Sequence, residues 1–295
     1  MADNSAFKVA GPGKMNTNLP LQKGTEKRLP YISFVILGII ILGCIFADVI
    51  SDRNPAYLHL TNCSQAPCKE FLFGTDSLGH DLFSCIWHGG RVSLFIGLAS
   101  TLISTVLAVV YGAVSGSASD IVDTLMMRMT EIFLSVPSLL VIIFIQAILG
   151  EPTVFSIAFV IGITSWCSIA KIIRTEVRQI RKSEYVIASK CMGADFFHIL
   201  VQHLAPNFVS SIMFMVVMNI RSAIVAESTL SFMGMGLPLD VISWGSLLSA
   251  SDKALMTKAW WVIVIPGVFL VLLLICLTEI GNWLRKSVNQ KESNL

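Results

Sequence analysis

Long apolar runs separated by shorter polar stretches dominate the chain. Runs close to the length that crosses a hydrocarbon core, about 20 residues with a range of about 17–25, occupy 31–50, 93–114, 132–149, 154–173, 208–232 and 260–280. None shows the period-two alternation of membrane barrel strands, so each predicts a helix. The expected fold class is an all-α membrane protein with six transmembrane helices. Pro137 in the third run and Pro266 in the sixth predict kinks or hinges, which membrane helices tolerate. Arg221 interrupts the fifth run. Trp260, Trp261 and Trp283 bracket the sixth, as aromatics at a membrane interface do.

Composition sharpens this. The chain has 295 residues, 54% apolar and 14% charged, with a mean hydropathy of +0.74. Soluble domains carry about 25% charged residues, so an ordinary soluble enzyme is excluded, and the apolar content excludes a disordered chain. A net charge of +2 argues against a nucleic-acid partner, and where the charges sit is more telling than their sum. Lys8, Lys14, Lys23, Lys27, Arg28, Arg128, Lys171, Arg174, Arg178, Arg181, Lys182, Lys190, Arg285, Lys286 and Lys291 lie on one side of the six runs. Arg53, Lys69, Arg91, Lys253 and Lys258 lie on the other, fifteen against five. Basic residues accumulate in cytoplasmic loops, so both termini are expected in the cytoplasm, in keeping with an even number of spans.

The division that follows is a polar cytoplasmic tail over 1–30, expected to be disordered; a first helix with an external loop over 31–91; the main membrane domain over 92–286; and a cytoplasmic tail over 287–295. The first run is too long and too far from the start for a cleaved signal peptide. Cys63 and Cys68 sit in the external loop, where a disulfide and free thiols are both open readings. No C-x-x-C or zinc-like spacing occurs among the seven cysteines. Asp76, His80, Asp81 and His88 cluster along the same loop, but their spacing fits no standard metal pattern, and a loop held by Asp-to-backbone turns is the simpler reading. No site metal is expected.

No G-x-x-x-x-G-K-S/T loop is present, since Gly13-Lys14 lacks the upstream glycine and is followed by Met15. H-E-x-x-H and G-x-S-x-G are also absent, and the spans hold few ionisable groups, whereas proton-driven pumps commit several. Nothing marks the chain as an enzyme or as a site for a bound cofactor, so energy for transport would come from a partner. The internal segment 174–207 is long enough to need a job. Glu184 to Cys191 has helical spacing, Gly193 suits a left-handed helix stop, and 195–204 predicts a second short helix ahead of a Pro206 stop. Such a pair is either a docking element for another protein or an amphipathic surface helix on lipid headgroups.

That segment resembles the EAA loop of ABC importer permeases. The likeness extends to Phe73-Gly74-Thr75-Asp76 with Gly79-His80-Asp81, to Gly90-Arg91-Val92-Ser93-Leu94, to Met127-Arg128 with Glu131 and Pro137, and to Leu230-Ser231-Phe232-Met233-Gly234-Met235-Gly236 with Trp244-Gly245. Together these are similar to the second permease subunit of the dipeptide, oligopeptide and nickel importers. Departures are Ile187 at the usual glutamate of the loop, Ser189 at its second alanine, His80 for arginine, Ala205 for leucine, Glu131 for aspartate and Asn282 for aspartate.

The resemblance implies a type I permease fold and a place in the bacterial cell membrane as a multi-pass subunit. The implied partners are a homologous second permease, two cytoplasmic ATPases that bind the ATP, and an extracytoplasmic solute-binding protein. It also implies that Glu184, Tyr185, Ala188, Gly193, Ala194, His203, Pro206 and Asn207 form the ATPase-coupling loop. Arg221 and Glu227 remain as pathway or subunit contacts. Arg221, midway along a span, must face the bundle, a partner or a wet cavity, and meets either a peptide carboxylate or the second permease. The expected function is import of di- or oligopeptides. Nickel or a metal chelate is the alternative cargo, and a secondary transporter is the alternative class.

Overall fold

The computed structural model describes residues 29–51, 55, 60–193, 205–238 and 240–292. Among them the chain is all helical: α1 Tyr31–Ile45, α2 Ala47–Ile50, α3 Leu82–Ser117, α4 Asp120–Ser135, α5 Ser138–Leu149, α6 Val154–Thr164, α7 Cys167–Ile180, α8 Glu184–Cys191, α9 Ala205–Phe232, α10 Trp244–Ser249, α11 Ser251–Met256 and α12 Trp261–Glu292. Extended pairing among these residues is limited to one bridge between Thr75 and Asp81.

The central element is α3, whose 36 residues make a rod about 54 Å long. Its inward stripe is small or polar: Ser93, Gly97, Ser100, Ser104, Ala108, Gly112 and Gly116 are buried. Its outward stripe is large and apolar, with Phe95, Leu98, Leu102, Val106, Val110 and Val114 exposed. That inversion of a soluble helix belongs to a lipid-facing one, where small residues let neighbours approach closely. A Cβ on Gly112 would lie 2.7 Å from the Ala170 carbonyl of α7, and one on Gly116 2.8 Å from the Arg174 carbonyl. These two glycines therefore set the α3–α7 distance. Gly97 admits Ile224 of α9 in the same way. One apolar cluster joins α1, α3, α9, α10 and α12 around Leu82, Ile86, Ile224, Trp244 and Leu273.

Three helices are long and apolar enough to cross a membrane unaided: Leu82–Ser117, Ile212–Phe232 and Trp261–Ser287. The count rises to five if two bent pairs each act as one span. Three expectations from the apolar runs are corrected here. The first run is not one helix over 31–50: α1 stops at Ile45, and a single turn, α2, follows Phe46. The third is not a kinked helix over 132–149, because α4 and α5 meet at 88°. The cause is local. Val136 is extended (φ −91°, ψ 133°), as a residue before proline tends to be, and Pro137 is extended too (φ −55°, ψ 125°). The fourth is bent by 44° between α6 and α7. There the Thr164 hydroxyl donates back to the carbonyls of Val160 (2.9 Å) and Ile161 (3.0 Å), a bond that competes with the helix ladder. Pro266 lies inside an uninterrupted α12.

Candidate functional site

The basic end of the bundle is organised around one carboxylate. Asp123 of α4 is 1% exposed. It accepts from Arg174 Nε at 2.8 Å and from the Ser115 hydroxyl at 2.7 Å, with further short bonds from Arg174 and Arg178. Arg178 also donates to Asp120 at 2.7 Å. Arg181 donates to the carbonyls of Ser117 (2.7 Å) and Ala118 (3.2 Å), taking up acceptors that the end of α3 leaves open. Arg174, Arg178 and Arg181 sit at four- and three-residue spacing, hence on one face of the chain leaving α7. Together they tie α7 to the α3–α4 corner.

From that corner the chain runs directly into α8. Val186 is buried, Ile187 is half exposed, and Gly193 has φ +86°. The helix therefore stops in a left-handed turn at the expected glycine. Ile187 lines a cavity of about 600 Å³ with Asp120, Arg178, Arg181 and Lys182. An apolar side chain thus stands beside three cations at the position where the resemblance would put a glutamate. Glu184 is exposed at the start of α8, and Tyr185 and Ala188 lie within it. Ala194, His203 and the expected helix over 195–204 fall outside the described residues. Pro206 does not stop the chain ahead of the fifth span. α9 begins at Ala205, which puts Pro206 and Asn207 in its first turn, where a proline's missing N–H costs nothing.

At the opposite end Glu227 of α9 is wholly buried within this chain. Four hydroxyls donate to it: Ser243 at 2.7 Å, Ser231 at 3.0 Å, Ser93 at 3.2 Å and Ser228 at 3.4 Å. Ser93 in turn accepts from the Trp244 amide at 3.2 Å, and Trp244 Nε1 donates to the Ile86 carbonyl at 2.9 Å. The segments around Ser93, Ser231 and Trp244, far apart in sequence, thus meet at one carboxylate. Arg221 takes no part in this. It is half buried, and its Nε is sealed off with no acceptor among the described residues.

In the external loop, Asp76 accepts from the Leu78 and His80 amides, each at 2.8 Å, and from His80 Nδ1 at 2.7 Å. Burial alone would raise the Asp76 carboxyl, but its bonds from the His80 ring and backbone hold it below its ordinary value. The same ring bond holds the His80 imidazole above its ordinary value, against the lowering effect of burial. Trp261 Nε1 donates to the Thr75 carbonyl at 3.1 Å and fastens this loop to α12. His88 goes elsewhere, to Asp48 at 3.1 Å and the Ser84 carbonyl at 3.0 Å. The four loop residues are therefore not gathered into one site. Among the described residues no three His, Cys, Asp or Glu side chains are placed to hold a metal, and Cys63 and Cys68 are not disulfide-bonded. Arg91 donates to the carbonyls of Cys44 (2.6 Å) and Ile45 (2.9 Å) and to Asp48 (2.6 Å). That guanidinium takes the last acceptors of α1 and accounts for its early end.

Two features escaped the sequence reading. Asp123 was not singled out, and its arginines counted only toward a charge bias, although Arg174 and Arg178 at i, i+4 pointed to one shared partner. Of the serines around Glu227, Ser93 and Ser231 lie inside the quoted motifs without an assigned role, and Ser228 and Ser243 lie just outside them.

Residues 87–293 match the family described as the binding-protein-dependent transport system inner membrane component. The chain is 34% identical to the oligopeptide transport system permease protein OppC of Bacillus subtilis, over 90% of this chain and 87% of that one. It is 31% identical to the dipeptide transport system permease protein DppC of the same organism, over 98% and 90%. It is 30% identical to a putative peptide transport system permease protein of Brucella suis, over 97% and 95%. A match across most of the chain, carrying the Ser93, Ser231 and Trp244 segments that converge on Glu227, makes this protein a member of the family of inner membrane components of binding-protein-dependent transport systems.

Proposed function

We propose that the chain is one of two permease subunits of an ATP-driven peptide importer in the bacterial cell membrane. The observation that carries this reading is its alignment, nearly end to end, with permeases named for oligopeptide and dipeptide transport. α8, projecting from the corner that Asp123 clamps, is the element that meets a cytoplasmic ATPase. Tyr185, Ala188, Gly193, Ala194, His203, Pro206 and Asn207 belong to the same coupling segment, with Glu184 at its start.

In this reading α1–α2, α3, α4–α5, α6–α7, α9 and α12 make six crossings with both termini in the cytoplasm. A second, homologous permease forms the other half of the pathway, and a binding protein delivers peptide from outside. ATP is bound and hydrolysed by two partner ATPases, so the chain needs no cofactor or nucleotide site of its own. Closure of the ATPases moves α8, and the bundle exchanges one packing for another, as rigid-body switches do. Glu227, enclosed by four serines, holds the outer end together. Arg221, whose Nε has no acceptor among the described residues, takes a carboxylate of the second permease as its partner.

The test is purification of the tagged chain in mild detergent, followed by mass spectrometry and by uptake of a labelled dipeptide into vesicles. Co-purification of a second permease and ATPases, with ATP-dependent uptake, is expected. A chain that purifies alone, or a complete complex that imports only nickel or a chelate, overturns the assignment. Arg221→Ala is expected to lower recovery of the second permease. Full recovery with altered uptake would move Arg221 into the pathway.

A further inference from the structure

We infer that a hydroxyl-lined cleft at mid-bundle holds the main chain of a peptide in transit; this rests on the peptide-importer reading above. The cleft encloses about 310 Å³ where the two helix breaks approach α9, and its polar lining is Ser138, Thr164, Ser165, Ser168, Asn219 and Ser222. These residues come from the start of α5, the α6–α7 joint and the first half of the α9 span. Thr164 and Asn219 are engaged within the chain, with Val160 and with Ser104. The hydroxyls of Ser138, Ser165, Ser168 and Ser222 make no hydrogen bond with any described residue.

Thr164 and Ser165 fall at the middle of an apolar run of 20 residues, 154–173, where hydrocarbon would leave hydroxyls unsatisfied at a cost. Their natural occupant is polar. Ser138, Ser168 and Ser222 are exposed, and the neighbouring Phe133, Leu134 and Leu140 are exposed as well. The cleft therefore opens out of this chain, toward whatever completes it. Its volume is at the low end of the about 300–1,000 Å³ of whole ligand sites, as expected of a half-site that a second permease closes.

The lining also selects the chemistry. Hydroxyls both donate and accept, which matches the alternating N–H and C=O of an extended peptide. No charged side chain lines the cleft, so it does not read peptide termini or charged residues. It binds what all peptides share and tolerates differing side chains. Beside the hydroxyls and the Asn219 amide, the lining holds the Cys167 thiol and the thioethers of Met215 and Met218, with no carboxylate or imidazole.

The experiment uses the whole importer in vesicles, with its binding protein and ATPases, and labelled dialanine as the probe. Ser168→Ala with Ser222→Ala is expected to raise the dialanine concentration for half-maximal uptake roughly tenfold, as the loss of two ordinary hydrogen bonds predicts. Ser168→Thr with Ser222→Thr, which keeps both hydroxyls, is expected to stay near the parental value. Parental uptake by the alanine pair overturns the cleft assignment. So does an equal loss in both pairs, or failure of the alanine pair to assemble, because packing rather than hydrogen bonding would then be at stake. A parental importer that takes up no dialanine sinks the peptide reading itself, whatever the variants do.

Discussion

The two buried acidic side chains illustrate opposite ways of satisfying a carboxyl group inside an apolar bundle. Asp123 is matched by guanidinium groups that still reach water, whereas Glu227 is matched by neutral hydroxyls alone. Asp123→Ala is expected to lower stability by about 2–3 kcal/mol, less than the 3–5 of a fully buried pair because Arg174 and Arg178 can rehydrate. Thermal unfolding in detergent measures it. Glu227→Ala leaves four hydroxyl donors without their acceptor and is expected to cost on the order of 1–3 kcal/mol, read in the same way. Unchanged melting of either variant would remove that carboxylate from the framework.

His80 and Asp76 give the external loop a pH window. His80 is raised, so its contribution is complete below about pH 6.5 and is lost as pH rises through the higher folded value. Asp76 is lowered, so its contribution is present above about pH 3.9 and is lost as pH falls through the lower folded value. The loop is therefore best ordered between those two folded values. Amide exchange at Leu78 and His80, corrected for the intrinsic rate, is expected to speed up as pH climbs past the upper limit. His80→Arg, which stays charged, should remove that alkaline change.

At the scale of elements, Gly193 is the sharpest prediction. Its φ of +86° is closed to proline, which is held near −65°. Gly193→Pro is expected to leave the chain in the membrane while reducing ATP-driven uptake and ATPase recovery; uptake at the parental rate would dismiss α8 as the coupling element. The existence of this helix and its glycine stop were both legible, because spacing and turn chemistry are local. So were the apolar runs. The breaks were less so. Pro137 announced a disturbance, but not that Val136 and Pro137 would both be extended and turn the chain by 88°. Nothing near Ser165 announced the second bend, and the Thr164 back-bond beside it recurs at Thr229 and Thr278 inside unbroken helices. The early end of α1 depends on Arg91, 46 positions beyond Ile45, and no local pattern carries such a contact. Glu227 was visible as a charge in a span, but its four serines come from three segments that only the fold brings together.

At the scale of the molecule, α3 is the shared wall of the bundle, touching α1, α6, α7, α9 and α12. Its small-residue stripe makes it intolerant of bulk on that side alone. Gly112→Val is expected to force α7 away from α3, lowering both melting temperature and complex yield. Val110→Leu, on the exposed stripe, should do neither, and detergent stability of the pair provides the comparison.

The arginine clamp also fixes what a small motion must become. Because Arg181 grips the final carbonyls of α3 while Arg174 and Arg178 grip the corner beyond it, a rotation of α7 cannot be absorbed by slippage at that junction. Over a rod about 54 Å long, a tilt of about 10° at the clamped end displaces the far end by about 9 Å. The Glu227 knot meets the rod at Ser93, roughly 36 Å from the clamp, where the same tilt moves it by about 6 Å, so the clamp gives the basic end of the molecule a long mechanical advantage over the outer one.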